Sequence, residues 1–269
     1  MQDWLDGETP RAVAVGGAPC SDTTATAEPP LISLVIPAYN EAAMLPRLLI
    51  SVEIARSFIR APASLEVIVA DNSSTDDTAA IAAAHGAQVV PVEKRCIAAA
   101  RNGGAAFARG DILAFVDADM VVNAQSFAGI VECMQDPRVL GGATGVRLDR
   151  LSPGIALTFG MMLPMIWLTG FDTGVVFCRR SDFLHIGGYD ETRLFAEDVD
   201  FLWRLTRLGK LRGAKLIRLR HAKAIASTRK FDRYGDWHYF TQMPSLAWRA
   251  WRSPGSVSDW ARRYWYEDR

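Results

Sequence analysis

Four short, nearly unbroken apolar runs, at residues 31–36, 65–70, 87–92 and 112–116, recur through the first half of the chain, each separated from the next by a helix-like stretch. A strand that is apolar at successive positions has no face left for water, so it belongs in a parallel sheet covered on both sides. The first run is expected to stop at Pro37. The segments between the runs obey helical spacing. In residues 42–60, Leu45, Leu48, Leu49 and Val52 fall at i, i+3, i+4 and i+7 and form one apolar stripe. Residues 75–86 are alanine-rich, with Thr75 placed to cap the start, Asp76 and Asp77 in the first turn and Gly86 at the end. Residues 98–109 supply a third helix. The alternation predicts an α/β fold, an open parallel sheet covered by helices on both faces.

Ligands of such sheets gather beyond the carboxyl ends of the strands. Three of the runs end in polar clusters, Tyr39-Asn40-Glu41, Asp71-Asn72-Ser73-Ser74 and Asp117-Ala118-Asp119, which should therefore meet along one edge. The last cluster points to a chemistry. Two carboxylates one residue apart after a buried strand can present hard oxygens to Mg2+ or Mn2+, cations that keep positions for substrate phosphates. Such a cation offsets the charge that develops as a diphosphate leaves. Dinucleotide binding is disfavoured, because no G-x-G-x-x-G follows a strand and Gly103-Gly104 falls inside a helix.

The second half is less regular. Residues 140–148, 174–179 and 215–220 read as strands, and residues 198–208 as an amphipathic helix beginning at Glu197-Asp198. Residues 154–171 carry no charge, a length at the lower limit for a membrane span, and Gly160 and Pro164 interrupt them. An acceptor-side helix, buried or touching lipid, is the better reading. Residues 1–30 lack periodicity and read as a disordered lead-in.

Cys20, Cys96, Cys133 and Cys178 form no C-x-x-C pair, which argues against a zinc site and fits a reducing compartment. With no secretory signal at the start, the expected location is cytoplasmic.

A net charge of zero hides an asymmetry, for residues 201–269 hold 16 Lys and Arg against 5 Asp and Glu. The basic end either meets phosphate, as diphosphate or anionic lipid headgroup, or packs against the acidic half. Its tail, residues 231–269, holds five of the eight tryptophans, with Arg249, Arg252, Arg262 and Arg263 between them. That mixture suits peripheral attachment to the inner face of the cell membrane, or a helix folding back on the domain. No nucleic-acid-binding module is present, so no nucleic-acid partner is expected.

The motifs, taken in order, resemble the family 2 glycosyltransferases. They are Val35-Ile36-Pro37-Ala38-Tyr39-Asn40-Glu41, the run from Val67 through Asp71-Asn72-Ser73-Ser74 to Thr78, and Ala100-Arg101-Asn102-Gly103. The run from Ala108 to Asp119, Gly187-Gly188-Tyr189-Asp190-Glu191 and Ala196-Glu197-Asp198-Val199-Asp200-Phe201 complete the series. The resemblance covers residues 31–230 and implies the Rossmann-like type-A glycosyltransferase fold, a mostly parallel central sheet with helices on both faces, with residues 31–120 as the nucleotide-binding half and 121–230 as the acceptor half.

It implies a nucleotide pocket of Pro37, Tyr39, Asn40, Glu41, Asp71 and Arg101, with Asp117 serving the ribose or the metal. Asp119 would be the principal ligand of Mn2+ or Mg2+, and His221 either a further ligand or a surface histidine. Asp198 would be the general base, with Glu197 as fallback, and Asp200 would be structural. Arg229 and Lys230 would clamp the diphosphate or form an ordinary basic loop.

The implied reaction moves one sugar, with inversion, from a nucleotide-diphosphate sugar (UDP favoured) to an acceptor hydroxyl, for instance on a lipid-linked or cell-envelope glycan. The Q-x-x-R-W motif of processive synthases is missing, which favours single-sugar transfer. Two alternatives are weaker. A sugar-phosphate nucleotidyltransferase would need a glycine-rich loop that residues 31–41 lack. A non-catalytic nucleotide-binding domain would not need Asp117, Asp119 and Asp198 together.

Overall fold

The first apolar run becomes β1 (Ile32–Ala38), buried at every position and flanked by β2 (Leu65–Asp71) and β4 (Ile112–Phe115), both parallel to it. The computed structural model describes residues 32–169, 173–193, 196–237 and 240. The lead-in and the tail beyond residue 240 lie outside these, as do the side chains of residues 162–169 and 230.

Between the first strands run α1 (Leu45–Arg56), α2 (Thr78–Ala84), β3 (Gln88–Pro91) and α3 (Ile97–Ala106). After β4 come β5 (Met120–Val121), α4 (Ser126–Met134), β6 (Val139–Ala143), β7 (Val146–Leu148) and α5 (Pro153–Thr169). Then follow β8 (Val176–Arg179), α6 (Arg180–His185), α7 (Glu197–Arg212), β9 (Lys215–Arg218), β10 (Ala224–Ala226) and α8 (Arg229–Tyr234).

The main sheet has seven strands in the order β3-β2-β1-β4-β8-β6-β9, and only β8 runs antiparallel to its neighbours. One face packs against α1 and α4 around Leu34, Ile36, Leu48, Val52, Phe127 and Ile130. The other packs against α3 and α7 around Val35, Ile68, Phe115, Phe201 and Leu205. Each fully buried Leu, Ile or Phe contributes roughly 1.5–3 kcal/mol, so the two-sided apolar pattern of the strands is what selects a three-layer sandwich.

Register brings the strand ends together. Ala38 lies beside Asp71 and Val35 beside Phe115, so the residues that follow leave the sheet at one edge. A second sheet of three short strands, β5-β10-β7, extends this edge.

Several local expectations need correction. Pro37 does not end β1. Its missing N–H faces β4, where the ladder already stops at Phe115, so no sheet hydrogen bond is lost. Thr75 caps no helix, since α2 begins three residues later, and Thr75 instead donates its N–H to Asn40 Oδ1 at 2.8 Å. The segment at 140–148 splits into two strands in different sheets, because the chain turns at Thr144-Gly145, where Gly145 has φ +80°. The structure also adds β5, α4, α6, β10 and α8, which the sequence reading passed over.

Candidate active site

The loops after β1 and β2 are stitched to each other. Asn40, at φ +51°, donates its N–H to Ser74 Oγ at 3.0 Å. Glu41 donates to Thr78 Oγ1 at 2.8 Å, and Ala42 to Asp76 Oδ2 at 3.1 Å. Asp71, half-buried at the end of β2, accepts from the Ser74 N–H at 3.3 Å. Asn72 acts in the wall itself: its amide nitrogen donates to Val92 O and Lys94 O at 2.9 and 2.7 Å, and its oxygen accepts from Cys96 N–H at 3.1 Å. Arg95, on the segment so held, lays its guanidinium 4.8 Å from the Tyr39 ring centroid. Tyr39, Asn40 and Asp71 are therefore fastened together at one edge, with Pro37 and Glu41 buried beside them. Asn72 and Thr78 escaped the sequence reading of site residues because their work is buried hydrogen bonding.

Arg101 anchors the centre. It sits on α3, which lies close to the sheet because residue 104 is glycine: a Cβ there would be 2.5 Å from Val35 Cγ1. The guanidinium is only 3% exposed and turns onto three carboxylates. Nη2 donates to Asp117 Oδ1 at 2.8 Å and to Asp198 Oδ2 at 3.3 Å; Nη1 donates to Glu197 Oε1 at 2.7 Å. Burial works against its charge, but Asp198, Asp117 and Glu197 outweigh that and hold it above the ordinary arginine value.

Glu197 and Asp198 open α7 directly after Ala196, which has a left-handed backbone at φ +57°. A non-glycine residue in that region is strained, and here the strain turns two acids inward at the helix start. Burial raises the Asp198 carboxyl; Arg101 opposes this, while Glu197 and Asp117 add to it, and the value is pushed up to about 7.

Asn102, one residue beyond Arg101, fastens the Gly187–Glu191 loop. Its amide nitrogen donates to Tyr189 O at 2.9 Å and Glu191 Oε1 at 3.0 Å, and its oxygen accepts from Tyr189 N–H at 2.8 Å. Gly188, at φ +66°, allows the approach, since a Cβ there would be 2.6 Å from Asn102 Oδ1. Asp200 is paired with Arg204 at 2.7 Å and Arg193 at 3.0 Å, the structural part expected of it.

Asp119 lies further out, between β4 and β5. Arg229, the first residue of α8, makes two bonds to the buried Glu41 at 3.0 and 3.1 Å and comes within 3.8 Å of Asp119 Oδ2. Antiparallel pairing of β10 with β5 accounts for this: Ala226 lies opposite Met120, so the chain after it emerges beside Asp119. Asp149 accepts from Thr228 N–H and Oγ1, and Arg150 pairs with Asp232 and Asp236, which ties α8 down.

The same register removes His221 from the expected metal set. It precedes β10, on the side away from Asp119, with its Nε2 3.4 Å from where a Cβ on Gly129 would stand. Among the described residues no group of three His, Cys, Asp or Glu side chains forms a ready metal site. Asp117 and Asp119, 36% and 27% exposed, still suit a hard cation that takes its remaining ligands from substrate phosphates.

A cleft of about 1240 Å³ lies at the other edge of the sheet, lined by Phe58, Arg60, Asp111, Gln125, Arg180 and His221, far from the strand ends that gather the carboxylates. The apolar segment forms α5, with Leu157 and Met161 exposed and Ile155 and Thr158 buried. Among the described residues no helix is long and apolar enough to cross a membrane.

The model of the family described as Glycosyl transferase family 2 matches residues 33–177. Validoxylamine A glucosyltransferase of Streptomyces hygroscopicus subsp. limoneus is 28% identical over 234 residues, which cover 67% of this chain and 49% of that protein. An uncharacterized glycosyltransferase of Mycobacterium tuberculosis is 36% identical over 100 residues, 37% of this chain and 42% of its own. This chain thus spans about half the length of the curated relatives it matches. Among solved structures, S. aureus TarS 1-349 in complex with UDP aligns at TM-score 0.57 and 18% identity, covering 76% of this chain and 62% of that one, and shares the fold.

Proposed function

The chain belongs to glycosyl transferase family 2, and on that premise we propose that it transfers one sugar from a nucleoside-diphosphate sugar to an acceptor hydroxyl with inversion. The observation that carries this reading is the position of Asp198. It is a half-buried carboxylate, held by Arg101 together with Asp117, at the edge of the sheet where the loops after β1 and β2 also emerge. A base pushed up to about 7 is matched to proton abstraction near neutrality, an effect of roughly two to four orders of magnitude.

In this mechanism the base and ribose rest against Tyr39 and Asp71, at the edge fixed by Asn40, Ser74, Asp76 and Thr78. Asp119 with Asp117 would hold a divalent cation, Mn2+ or Mg2+, which when bound would supply positive charge to the departing diphosphate. Asp198 takes the proton of the acceptor hydroxyl as its oxygen attacks the anomeric carbon from the face opposite the leaving group, and this single displacement inverts the centre. Arg101 keeps Asp198 and Glu197 apart from bulk water and in place. Arg229, shared between Glu41 and Asp119, is placed to meet the diphosphate.

UDP is the favoured nucleotide, supported by the UDP complex of a structural relative. We also assign the exposed Leu157 and Met161 of α5 to contact with a lipid surface, which a lipid-linked acceptor would require. The reading is tested by titrating the protein with a panel of nucleotide sugars in the presence and absence of Mn2+. Metal-dependent binding of one donor is the expected result; no binding of any donor under either condition overturns it.

A further inference from the structure

Arg179 ends β8 and Arg180 begins α6, and the fold treats these two neighbours differently. Arg179 is committed to the backbone. Its Nε donates to Val139 O at 3.0 Å, and its Nη2 to Met134 O at 2.9 Å and Asp136 O at 3.0 Å. Arg180 is fixed only through its own backbone, whose N–H donates to Asp111 O at 2.8 Å. Its guanidinium has no hydrogen bond or ion pair with any described residue, yet its Nε is buried. A charged donor shut off from water without an acceptor is costly, and folded proteins rarely keep one without a reason.

Arg180 lines the cleft of about 1240 Å³ described above. Ile112, on the same wall, begins β4 opposite Arg179, whereas Asp117 follows the far end of that strand. At the rise of an extended chain the two ends lie roughly 15 Å apart, so a ligand in the cleft does not touch the carboxylates of the active site. Arg60 lines the cleft as well and makes no ion pair among the described residues. Arg60, Arg179 and Arg180 outnumber the acids Asp111 and Glu132, and neither acid pairs with Arg180. Much of the remaining wall is apolar, with Phe58 and Leu184 exposed and Pro62 between α1 and β2. Small-molecule sites of roughly 300–1,000 Å³ combine such apolar walls with a few charged groups. The cleft is larger than a bare phosphate ion requires.

We propose that this cleft is a second binding site, for an organic anion: a carboxylate or phosphate ester with an apolar body. The anionic oxygens meet the Arg180 guanidinium, whose parallel N–H donors match either group, and Arg60 adds charge. The apolar body lies on Phe58, Pro62 and Leu184. Asp111 and Glu132 repel a ligand of high negative charge, which disfavours a nucleoside diphosphate here.

Calorimetric titration of the full chain at low salt tests the site with four probes: hexyl phosphate, hexanoate, inorganic phosphate and hexanol. Hexyl phosphate or hexanoate should bind saturably, and about ten-fold or more tighter than inorganic phosphate or hexanol; which of the two binds tighter identifies the anionic group. Arg180→Gln should weaken that binding about ten-fold. Leu184→Glu, a change at an exposed side chain, should weaken it several-fold by adding negative charge to the wall, and it decides the matter alone if the Arg180 variant does not fold. Saturating UDP should leave the affinity unchanged. The inference is overturned by an absence of saturable binding of both amphipathic anions, by binding that both variants leave intact, or by displacement with UDP, which would put the probe in the donor site. Inorganic phosphate binding as tightly as hexyl phosphate overturns the organic class of the ligand.

Discussion

Arg101 and Arg229 both hold carboxylates at the same edge of the sheet, but Arg101 sits on a core helix at 3% exposure and Arg229 on a surface strap at 35%. Arg101 faces Asp117, Glu197 and Asp198 with its own charge cut off from water, so it cannot leave without stranding the acids gathered around it. Arg229 binds the buried Glu41 but reaches Asp119 only at 3.8 Å, on the side open to solvent. On the proposed mechanism the inner cluster holds a proton acceptor still, and the outer one exchanges partners as a diphosphate and a cation arrive.

The sharpest way to break this contrast is to remove each arginine. Arg101→Met should destabilise the fold by about 3–5 kcal/mol in denaturant unfolding, since it strands buried acids. Arg229→Ala, by contrast, should cost about 1 kcal/mol or less and mainly raise donor KM several-fold. Equal losses of stability would erase the distinction.

Next in size is Asp198→Asn, expected to lower transfer by roughly 10²–10⁴-fold with donor affinity intact. Asp119→Asn should do the reverse, weakening metal-dependent donor binding while leaving stability alone; calorimetry with Mn2+ and donor separates the two. Because no three-ligand site stands ready among the described residues, Mn2+ without donor should bind weakly and tighten when the nucleotide sugar is present.

The remaining effects are pH-dependent and come from the inner cluster. Activity should fall as pH drops through about 7, where Asp198 takes up its proton. Its folded value lies above the ordinary 3.8, so the ionised form opposes folding: that cost is absent below the ordinary range and complete above about 7. Asp198→Asn should therefore stabilise the protein by roughly 2 kcal/mol at about pH 8, with the gain vanishing toward about pH 4 in thermal unfolding.

Much of the inner half was legible in the chain itself. Buried parallel strands announce themselves by unbroken apolar runs, and strand-end polar residues must gather where the strands end. Hence the gathering of Tyr39, Asp71 and Asp117 followed from β1, β2 and β4 alone. The role of Arg101 was not legible, because its partners at positions 117, 197 and 198 lie up to 97 residues away. Nor was the retreat of His221. The resemblance left it as either a further ligand or a surface histidine, and the pairing of β10 with β5 is what sets it away from Asp119.

The amino-acid sequence by itself determined the family, the layered α/β plan and the acidic residues that can carry the chemistry, since hydrophobic period and motif order are local properties. Tertiary structure decided the division of labour among those acids. Which carboxylate is buried and which arginine is committed depend on desolvation and on contacts between residues far apart in the chain.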